Sequence, residues 1–141
     1  MFICTGNYYR SRYAEALFNH QKGIPLSHWR AFSRGLMIEC APQSISPHTR
    51  NAIQSKGITD DCYESLPTAL TLADLKRADL VVALKREEHH AMMQHQFPEW
   101  VERIRYWDVH DLDVWSPAQT LPAIETRVQS LIAELSTSSK K

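Results

Sequence analysis

Three apolar residues, Met1-Phe2-Ile3, run into Cys4-Thr5-Gly6-Asn7-Tyr8-Tyr9-Arg10-Ser11, and the chain turns at once into Arg12-Tyr13-Ala14-Glu15-Ala16-Leu17-Phe18. The first segment reads as the end of a strand. The last reads as an amphipathic helix with Ala14, Leu17 and Phe18 at helical spacing on its inner side. A thiol and an arginine therefore share a strand-loop-helix junction. The rest of the chain goes on alternating strand and helix patterns, which supports an α/β fold with helices on both faces of a parallel sheet.

The physics of the junction favours anions. A helix N-terminus offers unpaired N–H groups and a partial positive charge to a phosphate-sized oxyanion. The same field favours a thiolate at Cys4. The planar fork of Arg10 can bind two phosphate oxygens at once. Gly6 and Asn7 are residue types that tolerate the left-handed backbone of a tight anion nest, and Ser11 can donate its hydroxyl to the thiolate. A core cysteine and a solvated helix-start arginine would leave the surrounding Gly-Asn and Arg-Ser unexplained.

Along the chain, helix one spans Arg10 to Lys22 and closes at Gly23. A strand follows at Trp29 to Ser33, ending in Ser33-Arg34-Gly35. Ser46-Pro47 reads as an N-cap with proline at the first helical position, and Lys56-Gly57 as a stop. Thr71-Leu72-Ala73-Asp74 is a capping turn. Asp79-Leu80-Val81-Val82-Ala83-Leu84 is a nearly continuous apolar run, as in a parallel strand covered on both faces. Ile104 to Trp107 is the last strand. A helix from Leu121 to Leu135 places Leu121, Ile124, Val128, Leu131, Ile132 and Leu135 on one stripe. Residues 1–135 form one domain and 136–141 a frayed tail.

Cys-Thr-Gly-Asn-x-x-Arg-Ser followed by Ala14-Glu15 resembles the phosphate-binding loop of the low-molecular-weight protein tyrosine phosphatases. That resemblance implies a three-layer α/β/α fold with a four-stranded parallel sheet, order 2-1-3-4, and the phosphate-binding loop (Thr5 to Ser11) after the first strand. It implies Cys4 as nucleophile, Arg10 as phosphate-binding residue, and an Asp in the loop after the last strand as general acid. By register the Asp is Asp111, followed by Leu112 where the family has proline, with Asp113 in reserve. Tyr8 occupies the position that faces substrate in the family, Leu36 to Pro42 supply one wall of the cleft with Met37 in it, and Trp115 stands opposite.

Three departures stand out. Only three residues precede Cys4, so the first strand is either short or truncated. Ser65 and Thr68 take the places of a His and an Arg that support the loop in relatives. Tyr9 replaces the second cysteine that shields the nucleophile in many of them, so mild peroxide should cause inactivation with little thiol-reversible protection unless Cys40 or Cys62 lies near Cys4.

The reading is a phosphatase for phosphotyrosine or other aryl phosphates, working through a phosphocysteine. One alternative is an arsenate reductase of the same fold, which needs two further thiols; Cys40 and Cys62, 22 residues apart, show no such pattern. Another is a catalytically weak phospho-ligand binding module. With 141 residues, zero formal charge and three cysteines, the chain reads as a reduced, cytoplasmic, single-domain protein. The expected partner is a phosphorylated protein or small aryl phosphate; no nucleic acid or membrane is expected, and the protein should be a monomer or weak dimer. His89, His90 and His95 lack the i, i+4 spacing of a helical metal pair and read as a solvated helix face, so neither metal nor cofactor is expected.

Overall fold

A computed structural model describes residues 1–139. The elements are β1 (Phe2–Cys4), α1 (Arg10–Gln21), β2 (Ser33–Gly35), α2 (Pro47–Ser55), α3 (Leu72–Arg77), β3 (Val82–Ala83), α4 (Arg86–Gln96), β4 (Arg105–Tyr106) and α5 (Pro117–Ser139), with short 3-10 turns between some of them. The four strands form one parallel sheet in the order β2-β1-β3-β4. The resemblance implied that order.

The apolar run Leu80 to Leu84 shows why a parallel strand needs no polar alternation. Val82 and Leu84 join Phe2 and Cys4 in a core beneath α1 and α5, with Leu17, Ile124 and Val128. Val81 and Ala83 join Ile3 in a second core beneath α3 and α4, with Leu75 and Met93. Successive side chains point to opposite faces, and here both faces are covered.

Local signals set most element ends. Ser46 accepts from the His48 N–H at 3.2 Å, with Pro47 at the first position of α2. Thr71 and Asp74 close a capping box at the start of α3. Gly23 and Gly57 both sit at φ 70°, just past α1 and α2.

Three boundaries differ by four residues from the sequence reading. β2 begins at Ser33, not Trp29, because the backbone of Ala31 is claimed by a side chain. Asn19 accepts from Ala31 N–H at 2.8 Å and donates to the Ala31 carbonyl at 3.0 Å, which takes those groups away from the ladder. α5 starts four residues before Leu121, at Pro117, with Pro122 inside its second turn. It also runs on to Ser139, so residues 136–139 of the expected frayed tail continue the helix, and residues 140–141 lie outside the described residues. Among the described residues no helix is long and apolar enough to cross a membrane.

Candidate active site

β1 delivers Cys4 to the end of the sheet where the loop to α1 begins, and the Cys4 side chain is buried. Its Sγ lies 2.9 Å from Ser11 Oγ on the first turn of α1. Ser11 Oγ in turn accepts from Asn7 Nδ2 at 2.9 Å. With that lone pair occupied, the Ser11 proton is free to point at Cys4. Asn7 is the organiser of the loop. It sits at φ 51°, the left-handed region, and its Nδ2 also donates to Ser33 Oγ at 2.9 Å, while its Oδ1 accepts from Thr68 N–H at 2.8 Å. The backbone of Thr68 thus supports the loop although its side chain is not the expected arginine.

Gly6 is needed for a different reason from the one its residue type suggests. It lies outside the left-handed region, but a Cβ there would come within 2.6 Å of Ala41 Cβ. Likewise a Cβ on Gly35, paired with Cys4, would meet Ile38 Cγ2 at 2.7 Å. The segment after β2 is pressed onto the loop, and both glycines leave room for it.

Arg10 is 2% exposed and held on three sides. Its Nη1 donates to the Val109 carbonyl at 3.0 Å, and its Nη2 to Glu88 Oε2 at 2.8 Å and Asp111 Oδ2 at 3.3 Å. Burial works against its charge, but the charges of Cys4, Glu88 and Asp111 outweigh burial and raise its pKa. Glu88, on α4, also accepts from the Thr5 hydroxyl and lies 3.0 Å from His89 Nε2. Burial alone would push its pKa up; the hydrogen bond from His89 and the charge of Arg10 hold the carboxyl well below the usual carboxylate range.

His89 corrects the reading of that histidine run as a solvated face, since it is fully buried. Its Nδ1 accepts from Lys85 N–H at 3.0 Å, which leaves the proton on Nε2 facing Glu88 and Thr5. Burial pushes its pKa down, so the ring is the neutral donor. Glu88 and His89 were not legible as site residues. A carboxylate beside a histidine at a helix start reads as ordinary solvated polarity until β3 and β1 bring it to the loop.

Asp111 reaches Arg10 from the segment after β4. The Leu112 N–H donates to Asp111 Oδ1 at 2.8 Å, a bond that proline in that position has no hydrogen to make. The Asp111 carbonyl accepts from Val114 and Trp115 N–H, both at 3.0 Å, and Thr120 Oγ1 donates to the His110 carbonyl at 3.0 Å. The loop is pinned by these bonds in place of a proline ring.

These groups surround a cleft of about 290 Å³ lined by Cys4, Thr5, Gly6, Tyr8, Tyr9 and Arg10 on one side. Cys40, Ala41 and Pro42 form a second side, and Asp111, Leu112 and Asp113 the third. Met37 and Trp115, expected as walls, are not among the lining residues. Met37 uses its N–H on the Thr5 carbonyl at 2.8 Å, and Trp115 packs its ring edge to face on His110 at 4.4 Å. Of the expected wall segment Leu36 to Pro42, the last three residues line the cleft, and the half-exposed Leu112 lines it on the side where Trp115 was expected. Both Asp111 and the reserve candidate Asp113 line the cleft. Cys40, exposed on the lip, shares the cleft with Cys4, so the condition on which weak thiol-reversible protection was expected does not hold.

Behind the loop lies a second polar layer absent from the sequence reading. Glu15 of α1 accepts from Ser33 Oγ at 2.5 Å and from Glu64 N–H at 3.1 Å. Burial pushes its carboxyl up from 4.5 to about 7, against those hydrogen bonds and the nearby Arg12. The folded protein therefore holds a proton that the unfolded chain has released, and stability falls as pH rises from about 4.5 to about 7, by about 3 kcal/mol in all. Glu15→Gln removes this titration. Its melting temperature relative to the native protein is expected to be clearly more favourable at pH 8 than at pH 5; an equal difference at the two pH values would show that the carboxyl does not carry that proton.

A doubly wound parallel sheet with a thiol and an arginine in the loop after its first strand defines a class of α/β proteins built to hold an oxyanion at the strand ends. The whole chain, residues 1–141, matches the family described as low molecular weight phosphotyrosine protein phosphatase, and it belongs to that family. It is similar to the low molecular weight protein tyrosine phosphatase of T. tengcongensis, at 28% identity over 94% of this chain and 96% of that one, with a TM-score of 0.75. The YwlE arginine phosphatase of Geobacillus stearothermophilus shares the fold at 24% identity over 97% and 92% of the two chains, TM-score 0.78. So does a thioredoxin-dependent arsenate reductase of Corynebacterium glutamicum, at 21% identity over 97% of this chain and 61% of that one, TM-score 0.69. No curated protein sequence gives a significant match.

Proposed function

We propose that this protein hydrolyses phosphomonoesters of aryl alcohols, phosphotyrosine among them, through a phosphocysteine intermediate. The observation that carries this reading is the convergence of Cys4, Arg10 and Asp111 on one cleft whose lining also includes the aromatic Tyr8 and Tyr9 and the apolar Ala41, Pro42 and Leu112, beside the polar Thr5, Cys40 and Asp113. An aryl ring fits between such walls with its phosphate on the loop.

The Cys4 thiolate attacks phosphorus, the phosphorus–oxygen bond to the leaving group breaks, and the Asp111 carboxyl gives its proton to the departing oxygen. Loop N–H groups and the Arg10 fork hold the three equatorial oxygens as charge moves across them. Ser11 donates to the sulfur when it is nucleophile and again when it leaves. Asp111, now a carboxylate, takes a proton from water as that water attacks the phosphocysteine and frees phosphate. For this the phosphate displaces Asp111 from Arg10, and Glu88, outside the cleft lining, keeps the guanidinium in place.

Arsenate reduction finds less support. Cys40 is in the cleft, but Cys62 is buried in the core under α1 and lines no part of it, which leaves one thiol where two are needed. The deciding experiment compares kcat/KM for p-nitrophenyl phosphate and a phosphotyrosine peptide with that for phosphoserine and phosphoarginine peptides. The aryl substrates are expected to lead by about tenfold or more, the margin that a well-filled apolar wall supplies. Phosphate binding without turnover of any substrate would instead make the protein a phospho-ligand binding module.

A further inference from the structure

We propose that Arg12 is a positioning residue of the phosphate-binding loop: its guanidinium, lying under the loop, braces the left-handed corner at Asn7 and so the aim of the N–H groups that receive phosphate. The inference rests on the phosphate-binding role given to the loop above.

Arg12 and Arg10 are the two largest fully buried side chains of the protein, and they flank the loop from opposite sides. Arg10 belongs to the cleft; Arg12 does not line it. Arg12 Nη1 donates to the Asn7 carbonyl at 3.2 Å and its Nη2 to the Glu64 carbonyl, while its buried Nε has no partner. Among the described residues it makes no ion pair within 4.0 Å, whereas Arg10 makes two. A buried guanidinium without a direct counter-ion is costly. Burial pushes the Arg12 pKa down, and the charges of Glu15, Cys4 and Glu64 only partly oppose it. Cys4, the nucleophile of the proposed reaction, ends β1 where the loop begins.

The geometry explains why a cation is useful there. The Asn7 side chain is pinned by Thr68, Ser11 and Ser33. Its carbonyl is the remaining polar group at the corner, and Asn7 is 1% exposed, so a donor must be supplied from inside the protein. A two-pronged guanidinium ties that carbonyl to the segment at Glu64. The corner and the segment after α2 are thereby fixed to each other. Ser65 and Thr68, on that segment, carry no cationic side chain to do the same from the other direction.

A role limited to balancing the charge of Glu15 makes a different prediction. At pH 8, where Glu15 is ionised, Arg12→Met/Glu15→Gln removes one charge of each sign, so charge balance is kept and the brace is absent. Inorganic phosphate affinity by calorimetry, kcat and KM for p-nitrophenyl phosphate, and the melting temperature are measured for the native protein, this double variant and Arg12→Lys. The double variant is expected to melt cooperatively yet bind phosphate about tenfold more weakly, with kcat/KM down by a similar factor. Phosphate affinity and kcat/KM within about twofold of the native protein would overturn the proposal and leave charge balance as the whole role of Arg12. If the double variant does not melt cooperatively, Arg12→Lys decides. It keeps the charge but not the reach to both carbonyls, and a phosphate affinity about threefold or more below native is expected; equality with native overturns the brace. Should the native protein bind phosphate but hydrolyse no aryl ester, the phosphatase reading fails while the phosphate affinities still decide the role of Arg12.

Discussion

Cys4→Ser is expected to lower kcat for p-nitrophenyl phosphate by about 10⁴-fold or more while inorganic phosphate binds within about threefold of native. The two halves of that result come from different parts of the site. In the proposed mechanism phosphate is held by loop N–H groups and by Arg10, and a serine side chain disturbs neither. The nucleophile is another matter, because a serine hydroxyl needs a base to remove its proton. Its neighbour at 2.9 Å is the Ser11 hydroxyl, whose oxygen already accepts from Asn7. Asp111 is engaged with Arg10 and with Leu112 N–H on another wall of the cleft. Full turnover in the variant would place the nucleophile elsewhere. Loss of phosphate binding together with turnover would show that the thiol, not the loop, holds the anion.

Asp111→Asn carries the second large effect. The amide keeps the size of the side chain and can still accept from Leu112 N–H through its oxygen, so the loop should hold its shape. It has no proton to give. For a phosphotyrosine peptide, whose leaving group needs that proton, kcat is expected to fall about 10²- to 10³-fold. For p-nitrophenyl phosphate the loss should be smaller, because p-nitrophenolate departs more easily without help. Phosphate affinity should hold or rise, since the bond from Arg10 to Asp111 at 3.3 Å competes with the anion for the same guanidinium. The control is Asp113→Asn. Asp113 lines the cleft but reaches no cation among the described residues, and its loss is expected to change kcat less than about threefold. Were the large effect to appear there instead, Asp113 would be the acid.

How far the chain could be read in advance depended on the range of each signal. The loop from Cys4 to Ser11 announced itself because its parts act within eight residues: the strand that ends in Cys4, the helix that starts at Arg10 and the tight corner at Asn7 are all neighbours in sequence. The caps at Ser46 and Thr71 were legible for the same reason. Even the misplaced start of β2 was a local pattern overruled by one distant side chain, Asn19. Asp111 could be named from register with the closing helix, but its partner could not.

The cleft walls show the opposite case. Met37 and Trp115 were candidates by size and neighbourhood and neither lines the cleft, whereas Pro42, at the end of the expected wall segment, and Leu112 do. Glu88, His89 and Arg12 carry no motif at all, and the motif that contains Glu15 says nothing of its burial. Charged side chains at helical spacing look alike whether they meet solvent or a loop 80 residues away, and the burial that separates the two outcomes is a property of the packed molecule.

Linear order was thus enough for the α/β class, the strand-loop-helix junction with its thiol and arginine, and the helix caps, because hydrophobic periodicity and capping chemistry act over one or two turns. Folding alone decided which charges are withdrawn from water. It put Arg10 between Glu88 and Asp111, tied Arg12 to the Glu64 carbonyl, and raised Glu15 to about 7 by burying it. Those outcomes depend on distance and desolvation between residues far apart in the chain, and neither quantity exists until the sheet has closed against its helices.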